Sequence, residues 1–425
     1  MKAVILAAGE GTRFWPLSEN TPKPLVRIIN KYFLEYQIIE LVYSGIKDII
    51  IVKGKSFDDL FEKFKKEMQE KYDVNLNYTI QPDTLGTGDA FNRVSNLINE
   101  PFLGLMGDNH YDREDIKKIL EIFNECKKCV IGGFEVTNPE AYGVIEHKGS
   151  KVQSLVEKPK KASSNIINAG IYLLKPGIFK MLNNLKPHEN GEFYVTDSIS
   201  QLADDDDLVL HKLKTWFDMG KPYQILDLTK YFFDNFRKFN DMKKYKEYAE
   251  GIYVDKNVTI SKNVECYPGN GLIIVEEGSV ILGATLIFGN VYIGPNCKVK
   301  NSVLRETSVL SGDNNVSFSE IKDSTLGLRT NAPHFNYIGD SYIGEDCNFG
   351  AGSKVANTRH DRKNIKMFIE KKGVLEDTGK AKLGVFMGNN VKIGINASLG
   401  QPGILIGSNV RIPPGAKICR NVVTS

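Results

Sequence analysis

Near its start the sequence carries Gly9-Glu10-Gly11-Thr12-Arg13, directly after the apolar run Ala3-Val4-Ile5-Leu6. Two glycines allow a tight turn whose backbone N–H groups approach phosphate oxygens closely. Arg13 and Lys23 put two cations beside that turn. At ~4 Å and an effective dielectric near ~20, each cation–phosphate pairing is worth roughly 4 kcal/mol before desolvation. Far along the chain stand two acids, Asp108 and Asp218, which only a fold can bring together. Two carboxylates beside a polyphosphate suit Mg2+, which takes one or two carboxylates plus phosphate oxygens.

Competing phosphate motifs fail on single positions. A dinucleotide fingerprint G-x-G-x-x-G needs glycine where Phe14 stands. Gly54-Lys55-Ser56 supplies the tail of a P-loop, but Ile49 occupies the place of its first glycine. The run from Asp204 to Asp207 is a solvated charge run. Cys126-x-x-Cys129 has no second pair and no suitably spaced histidines, so it reads as ordinary cysteine.

The elements that must position these residues read differently in the two halves. Up to about residue 227, short apolar runs alternate with helical patterns. Ala3–Leu6, Ile49–Val52, Asn77–Ile80 and Phe102–Met106 read as strands, with helices over 33–44 and 57–70 between them. This alternation predicts an α/β domain with a mostly parallel sheet. Residues 223–250 lack Gly and Pro and predict a helical connector, with Leu226, Phe232, Phe233, Phe236 and Phe239 as its buried stripe. Beyond Gly251 an aliphatic recurs every six residues: Val275, Ile281, Ile287, Ile293 and Val299, then Met387, Ile393 and Leu399, then Ile406, Ile412 and Ile418. Such a period suits a triangular coil of short flat faces, with an aliphatic at each corner feeding one central core. The stretch 357–373 breaks the period and predicts a loop. The domains are therefore 1–227, a helical linker at 228–250, and 251–425.

The stretch Leu6-Ala7-Ala8-Gly9-Glu10-Gly11-Thr12-Arg13-Phe14-Trp15-Pro16-Leu17, followed by Pro22-Lys23-Pro24, closely resembles the signature of sugar-1-phosphate nucleotidylyltransferases. The resemblance implies a Rossmann-like domain in which a sugar-1-phosphate oxygen attacks the α-phosphorus of UTP or dTTP and pyrophosphate leaves. It implies nucleotide contacts at Leu6, Ala8, Gly9, Gly11, Thr12, Gln81, Gly86 and Thr87, and sugar-phosphate contacts at Gly143, Glu157, Lys158, Asn168 and Tyr194. It places Arg13 on the leaving pyrophosphate, Lys23 on the α-phosphate and sugar phosphate, and Mg2+ on Asp108 and on Asp218 of Trp216-Phe217-Asp218-Met219-Gly220.

The second half resembles the left-handed parallel β-helix of hexapeptide-repeat acyltransferases. More narrowly, Ala332-Pro333-His334-Phe335-Asn336-Tyr337 and Ile343 to Ser353 resemble the archaeal-type bifunctional enzymes that add acetyl groups to amino-sugar-1-phosphates. This implies acetyl-CoA as co-substrate, His334 as general base, amino-sugar contacts at Lys322, Tyr337 and Asn348, and a homotrimer. An imidazole, with an ordinary pKa of ~6.5, suits deprotonation of a sugar amine before attack on a thioester. Arg305 is a weaker phosphate contact, one residue short of the expected spacing. The basic cluster Arg359, Arg362, Lys363, Lys371 and Lys372 offers a place for CoA phosphates or a solvated loop. The alternatives are a nucleotidylyltransferase whose β-helix serves only oligomerisation or regulation, and a non-catalytic relative. The presence of Arg13, Lys23, Asp108 and Asp218 weighs against the last. Uracil and thymine differ by one methyl, worth only ~1–3 kcal/mol, so the base stays open, as do the sugar and amino sugar.

Composition sets the outer limits. The 425 residues carry a net charge of only +3, which argues against a nucleic-acid binder. With 41% hydrophobic and 25% charged residues, the chain reads as globular. No apolar run approaches the ~18 residues a bilayer needs, and the short one at the start does not make a secretory signal. Six scattered cysteines then fit free thiols in the cytoplasm.

Overall fold

The computed structural model describes residues 1–424, which fold as two compact units. The first comprises Met1–Glu10 and Phe33–Asp218; the second comprises Gly11–Tyr32 and the chain from Met219 onward.

The first unit is built on one nine-stranded sheet. From one edge its strands are Asn75–Ile80, Asp48–Lys53, Lys2–Ala7, Phe102–Met106, Ile166–Leu174, Cys129–Glu135, Leu208–Lys212, Lys151–Glu157 and Gly143–Lys148. The first four are parallel; Asp48–Lys53, Lys2–Ala7 and Phe102–Met106 are largely buried, hence their near-continuous aliphatic residues, whereas the edge strand Asn75–Ile80 buries only Leu76. Helices Phe33–Tyr43, Asp58–Tyr72 and Arg113–Cys126 provide the helical part of the α/β alternation. The rest is mixed and departs in part from the expected mostly parallel sheet: Cys129–Glu135 pairs in parallel with Leu208–Lys212, and the other neighbours are antiparallel. Ile166–Leu174 runs antiparallel to both its principal neighbours. Gly143–Lys148 and Lys151–Glu157 form an antiparallel hairpin, because only two residues separate them and Gly149 takes φ +61° in the turn. Order reverses around Lys2–Ala7, whose neighbours are the second and fourth strands in sequence. Ligands of open α/β sheets bind at the carboxyl ends of strands at such a switch point.

In the second unit the chain visits three faces in rotation, one of them divided into a four-stranded and a three-stranded sheet. A three-residue strand on one face is followed by a strand on each of the next two, and each pairs in parallel with the strand one turn later. Val275 pairs with Ile293 and Ile281 with Val299, an advance of eighteen residues. Leu304 then pairs with Ile321 and Ile321 with Ile338, an advance of seventeen. The six-residue aliphatics all enter one core, and Val275, Ile281, Ile287, Ile293 and Val299 are fully buried. They sit within the strands of the flat faces, not at the corners as the sequence reading has it. The corners hold residues in left-handed conformation, among them Gly283, Asn296, Asn301 and Asp313, because the chain must bend sharply there. Asn side chains cap the corner of the neighbouring turn: Asn301 Oδ1 accepts from the Ala284 N–H at 2.9 Å and Asn389 Oδ1 from Glu345 at 2.9 Å.

Two expectations change here. The connector is α-helical only over Gln224–Asp234 and Phe236–Phe239, followed by a 3-10 turn at Met242–Lys244. Lys246–Ala249 is a strand antiparallel to Ile252–Val254 that starts the coil, and Leu226 is only half-buried. Pairing to an available sheet edge overrides a weak local helix preference. The break at 357–373 lies within a longer excursion, since Ile343 pairs with Met387. Its outer part is an ordered antiparallel ribbon, Lys366–Ile369 with Val374–Asp377.

Candidate functional site

The acid pair is assembled by a short ribbon. Trp216–Asp218 pairs antiparallel with Asn109–Tyr111, and the register sets Asp218 opposite Asn109, the residue after Asp108. Two acids far apart in sequence are thus brought near each other, Asp108 in the turn that leads into Asn109–Tyr111 and Asp218 on the strand paired with it. Asp108 follows the carboxyl end of Phe102–Met106, at the switch point. The turn before it is held tightly. The Gly107 N–H donates to the Leu6 carbonyl at 2.8 Å, and a Cβ on Gly107 would stand 2.7 Å from that oxygen. Buried Gln37 donates from Nε2 to the Met106 carbonyl at 2.8 Å and to the Asn109 carbonyl, on either side of Gly107-Asp108. The Ala169 carbonyl accepts from Asn109 Nδ2 at 3.1 Å, Tyr111 OH at 2.8 Å and Trp216 Nε1 at 3.0 Å, tying the ribbon to Asn168-Ala169-Gly170. Gln37 and Tyr111 had no sequence signal beyond their place on apolar elements. Among the described residues no group of three or more His, Cys, Asp or Glu side chains could hold a metal alone. Two carboxylates that leave coordination positions to phosphate oxygens fit Mg2+ better than an ion needing an all-protein cage.

The other nucleotide-domain candidates fall into two local groups. Gln81 is buried and donates to the Gly86 carbonyl at 2.9 Å and Asp89 Oδ2 at 2.9 Å. Gly86 has φ +90°, and a Cβ there would meet the Phe193 carbonyl at 2.5 Å. Thr87 Oγ1 accepts from the Val195 N–H at 3.1 Å, which brings the segment of Tyr194 against it. The second group lies on the hairpin and its neighbour. The Lys158 N–H donates to the Tyr142 carbonyl at 3.0 Å, and Lys158 Nζ is 3.5 Å from Glu157. A Cβ on Gly143 would stand 3.0 Å from Glu157 Oε2, so the small residue leaves room for that carboxylate. Asn168 Nδ2 donates to Tyr172 OH at 2.7 Å.

The phosphate loop belongs to the second unit from Gly11 on. Leu6 is half-buried, Ala8 buried and Gly9 exposed at the end of the first strand. Gly11 has φ +65°, and its carbonyl accepts from Ser18 Oγ at 2.8 Å and from the Phe14 N–H at 2.8 Å. Thr12 and Arg13 are exposed, whereas Lys23 is buried in a 3-10 turn, Lys23–Leu25.

On the coil, Lys322 and Tyr337 lie in one sheet, where Glu320 pairs with Tyr337 and Lys322 with Gly339. Asn348 lies in a different sheet, paired with Lys392. His334 is exposed at the corner before Tyr337; its N–H donates to Asn336 Oδ1 at 3.2 Å and its carbonyl accepts from Gly352 at 2.9 Å. Lys322 is buried among three acids: Glu306 at 2.7 Å, Asp323 at 2.7 Å and Asp340 at 3.5 Å. Its own pKa is raised despite its burial, by hydrogen bonds to Asp323 and Glu306. Burial pushes the Asp340 carboxyl up, and the hydrogen bond with Asp323 raises Glu306. These acids had a sequence signal that a six-residue period hides. Glu306, Asp323 and Asp340 recur every seventeen residues, one coil turn, each at a left-handed corner. Tyr337 OH accepts from Asn357 Nδ2 at 3.0 Å. Arg305 Nε donates to Glu320 at 2.8 Å. Arg359, Arg362, Lys363, Lys371 and Lys372 are exposed on the excursion, and Arg359 pairs with Asp361 at 2.7 Å.

The family described as nucleotidyl transferase matches residues 2–234. A bifunctional sugar-1-phosphate nucleotidylyltransferase/acetyltransferase of Sulfurisphaera tokodaii is 36% identical over 431 residues, spanning 99% of this chain and 98% of that protein. The chain belongs to this bifunctional family. A second member, the bifunctional protein GlmU of Methanococcus vannielii, is 37% identical across 96% of this chain and 92% of its own. A UDP-glucose pyrophosphorylase solved with UDP-glucose superimposes with a TM-score of 0.50 at 25% identity, over 55% of this chain and 98% of that one. The bifunctional relatives span both units, which one shared nucleotidyltransferase half would not require. No helix among the described residues is long and apolar enough to cross a membrane.

Proposed function

We propose that this bifunctional family member transfers a nucleotidyl group from UTP or dTTP to a sugar-1-phosphate in its 1–227 region, and acetylates an amino-sugar-1-phosphate in its 251–425 region. The observation that carries the first half is the ribbon register that sets Asp218 beside the Asp108 turn at the sheet's switch point. Asp108 and Asp218 hold Mg2+, which neutralises the triphosphate charge when bound. Arg13 takes the leaving pyrophosphate, Lys23 the α-phosphate and sugar phosphate, and Lys158 the sugar phosphate. Leu6, Ala8, Gly9, Gly11 and Thr12 line the phosphates, and Gln81, Gly86 and Thr87 the base. Gly143, Glu157, Asn168 and Tyr194 contact the sugar phosphate. In-line displacement of this kind rests on positioning and charge neutralisation, not on a covalent intermediate.

In the second half His334 withdraws a proton from the sugar amine, which attacks the acetyl-CoA thioester and releases CoA. The exposed histidine stands where a reactant can reach it. Lys322, Tyr337 and Asn348 serve the amino sugar. Lys322 and Tyr337 share a face while Asn348 is on another, which is how a site completed by a neighbouring copy would divide them. Phe335, 66% exposed beside His334, meets Phe318, 45% exposed, and gives that face an apolar patch for a second coil. The assembly is a homotrimer of left-handed β-helices, and the enzyme works in the cytoplasm, where unpaired cysteines persist. The test incubates wild type, Asp108→Ala and His334→Ala with Mg2+, UTP or dTTP, and amino-sugar-1-phosphates with and without acetyl-CoA. With the acetylated sugar-1-phosphate or glucose-1-phosphate supplied directly as nucleotidyl acceptor, pyrophosphate release lost only in Asp108→Ala, and thiol release lost only in His334→Ala, is expected. Either loss appearing in the wrong variant overturns the assignment.

A further inference from the structure

We propose that Gly407 and Ser408, on the coil, are positioning residues for nucleotidyl transfer. This rests on the reading of Arg13 and Lys23 as phosphate ligands. Both lie on the Gly11–Tyr32 segment, which packs within the second unit.

The segment is seated at several points. Trp15 is only 5% exposed, although Thr12 and Arg13 just before it are exposed. Its ring lies on Gly407, where an added Cβ would stand 3.0 Å from Trp15 Cζ2 and 2.5 Å from the Val423 carbonyl. Lys371 Nζ, on the excursion, is 5.8 Å from the centre of the Trp15 ring. Glu19 Oε2 accepts from the Ser408 N–H at 2.7 Å, and Asn20 Nδ2 donates to Ser408 Oγ at 2.7 Å. Ser408 Oγ is itself fixed, accepting from the Asn389 N–H one coil turn away at 3.0 Å. Further along the segment, Tyr342 OH donates to the Arg27 carbonyl at 3.2 Å.

Between these anchors the segment is internally bonded. The Leu17 N–H donates to Phe14 at 3.1 Å, Glu19 to Pro16 at 3.2 Å, and Ser18 Oγ to Gly11 at 2.8 Å. A displacement at Glu19 or Trp15 is therefore passed to Arg13 instead of being absorbed. Misplacing a charge-neutralising group by ~1 Å can cost ~10²-fold in rate. The coil thus supplies the seat for the residues that hold the triphosphate. Glu19 and Asn20 read that seat through a backbone N–H and one hydroxyl, and Trp15 through its close approach to Gly407.

The test compares wild type with Glu19→Ala, Glu19→Gln, Ser408→Ala and Gly407→Ala in the full-length protein. It measures kcat and KM for UTP and dTTP with glucose-1-phosphate, acetyl-CoA-dependent thiol release, and thermal melting. Expected are falls in kcat/KM of about tenfold for Glu19→Ala and Ser408→Ala, and up to ~10²-fold for Gly407→Ala. Thiol release of Glu19→Ala and Ser408→Ala, and the melting of Glu19→Ala, should stay at wild-type values, while Ser408→Ala melts slightly lower because the Asn389 N–H loses its acceptor. Glu19→Gln should keep most of the activity, because its amide oxygen still accepts the Ser408 N–H. An active wild type whose Glu19→Ala and Ser408→Ala variants are equally active overturns the proposal. So does a loss shared equally by both activities and by melting, which marks a purely structural role. A wild type that releases no pyrophosphate instead removes the reading of the loop on which the proposal rests.

Discussion

Replacing Lys322 by Met should destabilise the coil strongly, and more at alkaline than at acid pH. The ammonium is 5% exposed and lies 2.7, 2.7 and 3.5 Å from Glu306, Asp323 and Asp340. At an effective dielectric near ~20 these contacts sum to a gross attraction of about 17 kcal/mol, most of it offset by desolvation. Breaking a buried pair by removing one partner typically costs ~3–5 kcal/mol. Glu306 is 46% and Asp323 33% exposed, so water screens two of the three orphans. Asp340, at 10%, remains buried. We therefore expect about 2–4 kcal/mol. The sign with pH follows from Asp340, whose folded pKa burial already raises. Without Lys322 it rises further, so the charged acid is the costly form and protonation relieves it. The loss should be larger at pH ~8 than at pH ~5, and Asp340→Asn on the Lys322→Met background should restore part of it. Trp15 lies in the second unit, so its emission in a Trp216→Phe background follows this unit during urea unfolding. A Lys322→Met midpoint equal to wild type, or a loss independent of pH, would refute the reasoning.

Asp218→Ala should lower nucleotidyl turnover by ~10²–10³, as loss of one strong electrostatic group does, with thiol release from acetyl-CoA unchanged; pyrophosphate release at saturating substrate checks it. Gly86→Ala should raise the KM for UTP and lower the melting temperature, since a left-handed alanine costs ~1–2 kcal/mol before its Cβ meets the Phe193 carbonyl. Burial lifts Cys129 and Cys347 to about 11 and Cys297 to about 12, away from the reactive thiolate near neutrality. A thiol reagent at pH ~8 should therefore modify exposed Cys126 and Cys419 first and reach these three only on unfolding.

Sequence pattern made the parallel strands legible because buried strands are nearly continuous aliphatic runs, as in Ile49-Ile50-Ile51-Val52. The coil was legible because its core takes one aliphatic at short regular steps. What stayed hidden depends on contacts between distant positions. The antiparallel run of Ile166–Leu174 and the pairing of Lys246–Ala249 depend on which edge is free, a tertiary fact. Asp108 and Asp218 were identifiable from motif resemblance, but their juxtaposition comes from the register at Asn109. The acids around Lys322 escaped notice because coil turns vary in length, with advances of eighteen and seventeen residues that a fixed period cannot align.

A crystal of the full chain grown with UTP and Mg2+ would probe the arrangement at its heart. A metal held by the Asp108 and Asp218 carboxylates at the ~2.1 Å usual for Mg2+, with Arg13 and Lys23 on the phosphates, is the expected result. A nucleotide bound elsewhere, or a metal that ignores both acids, would contradict it.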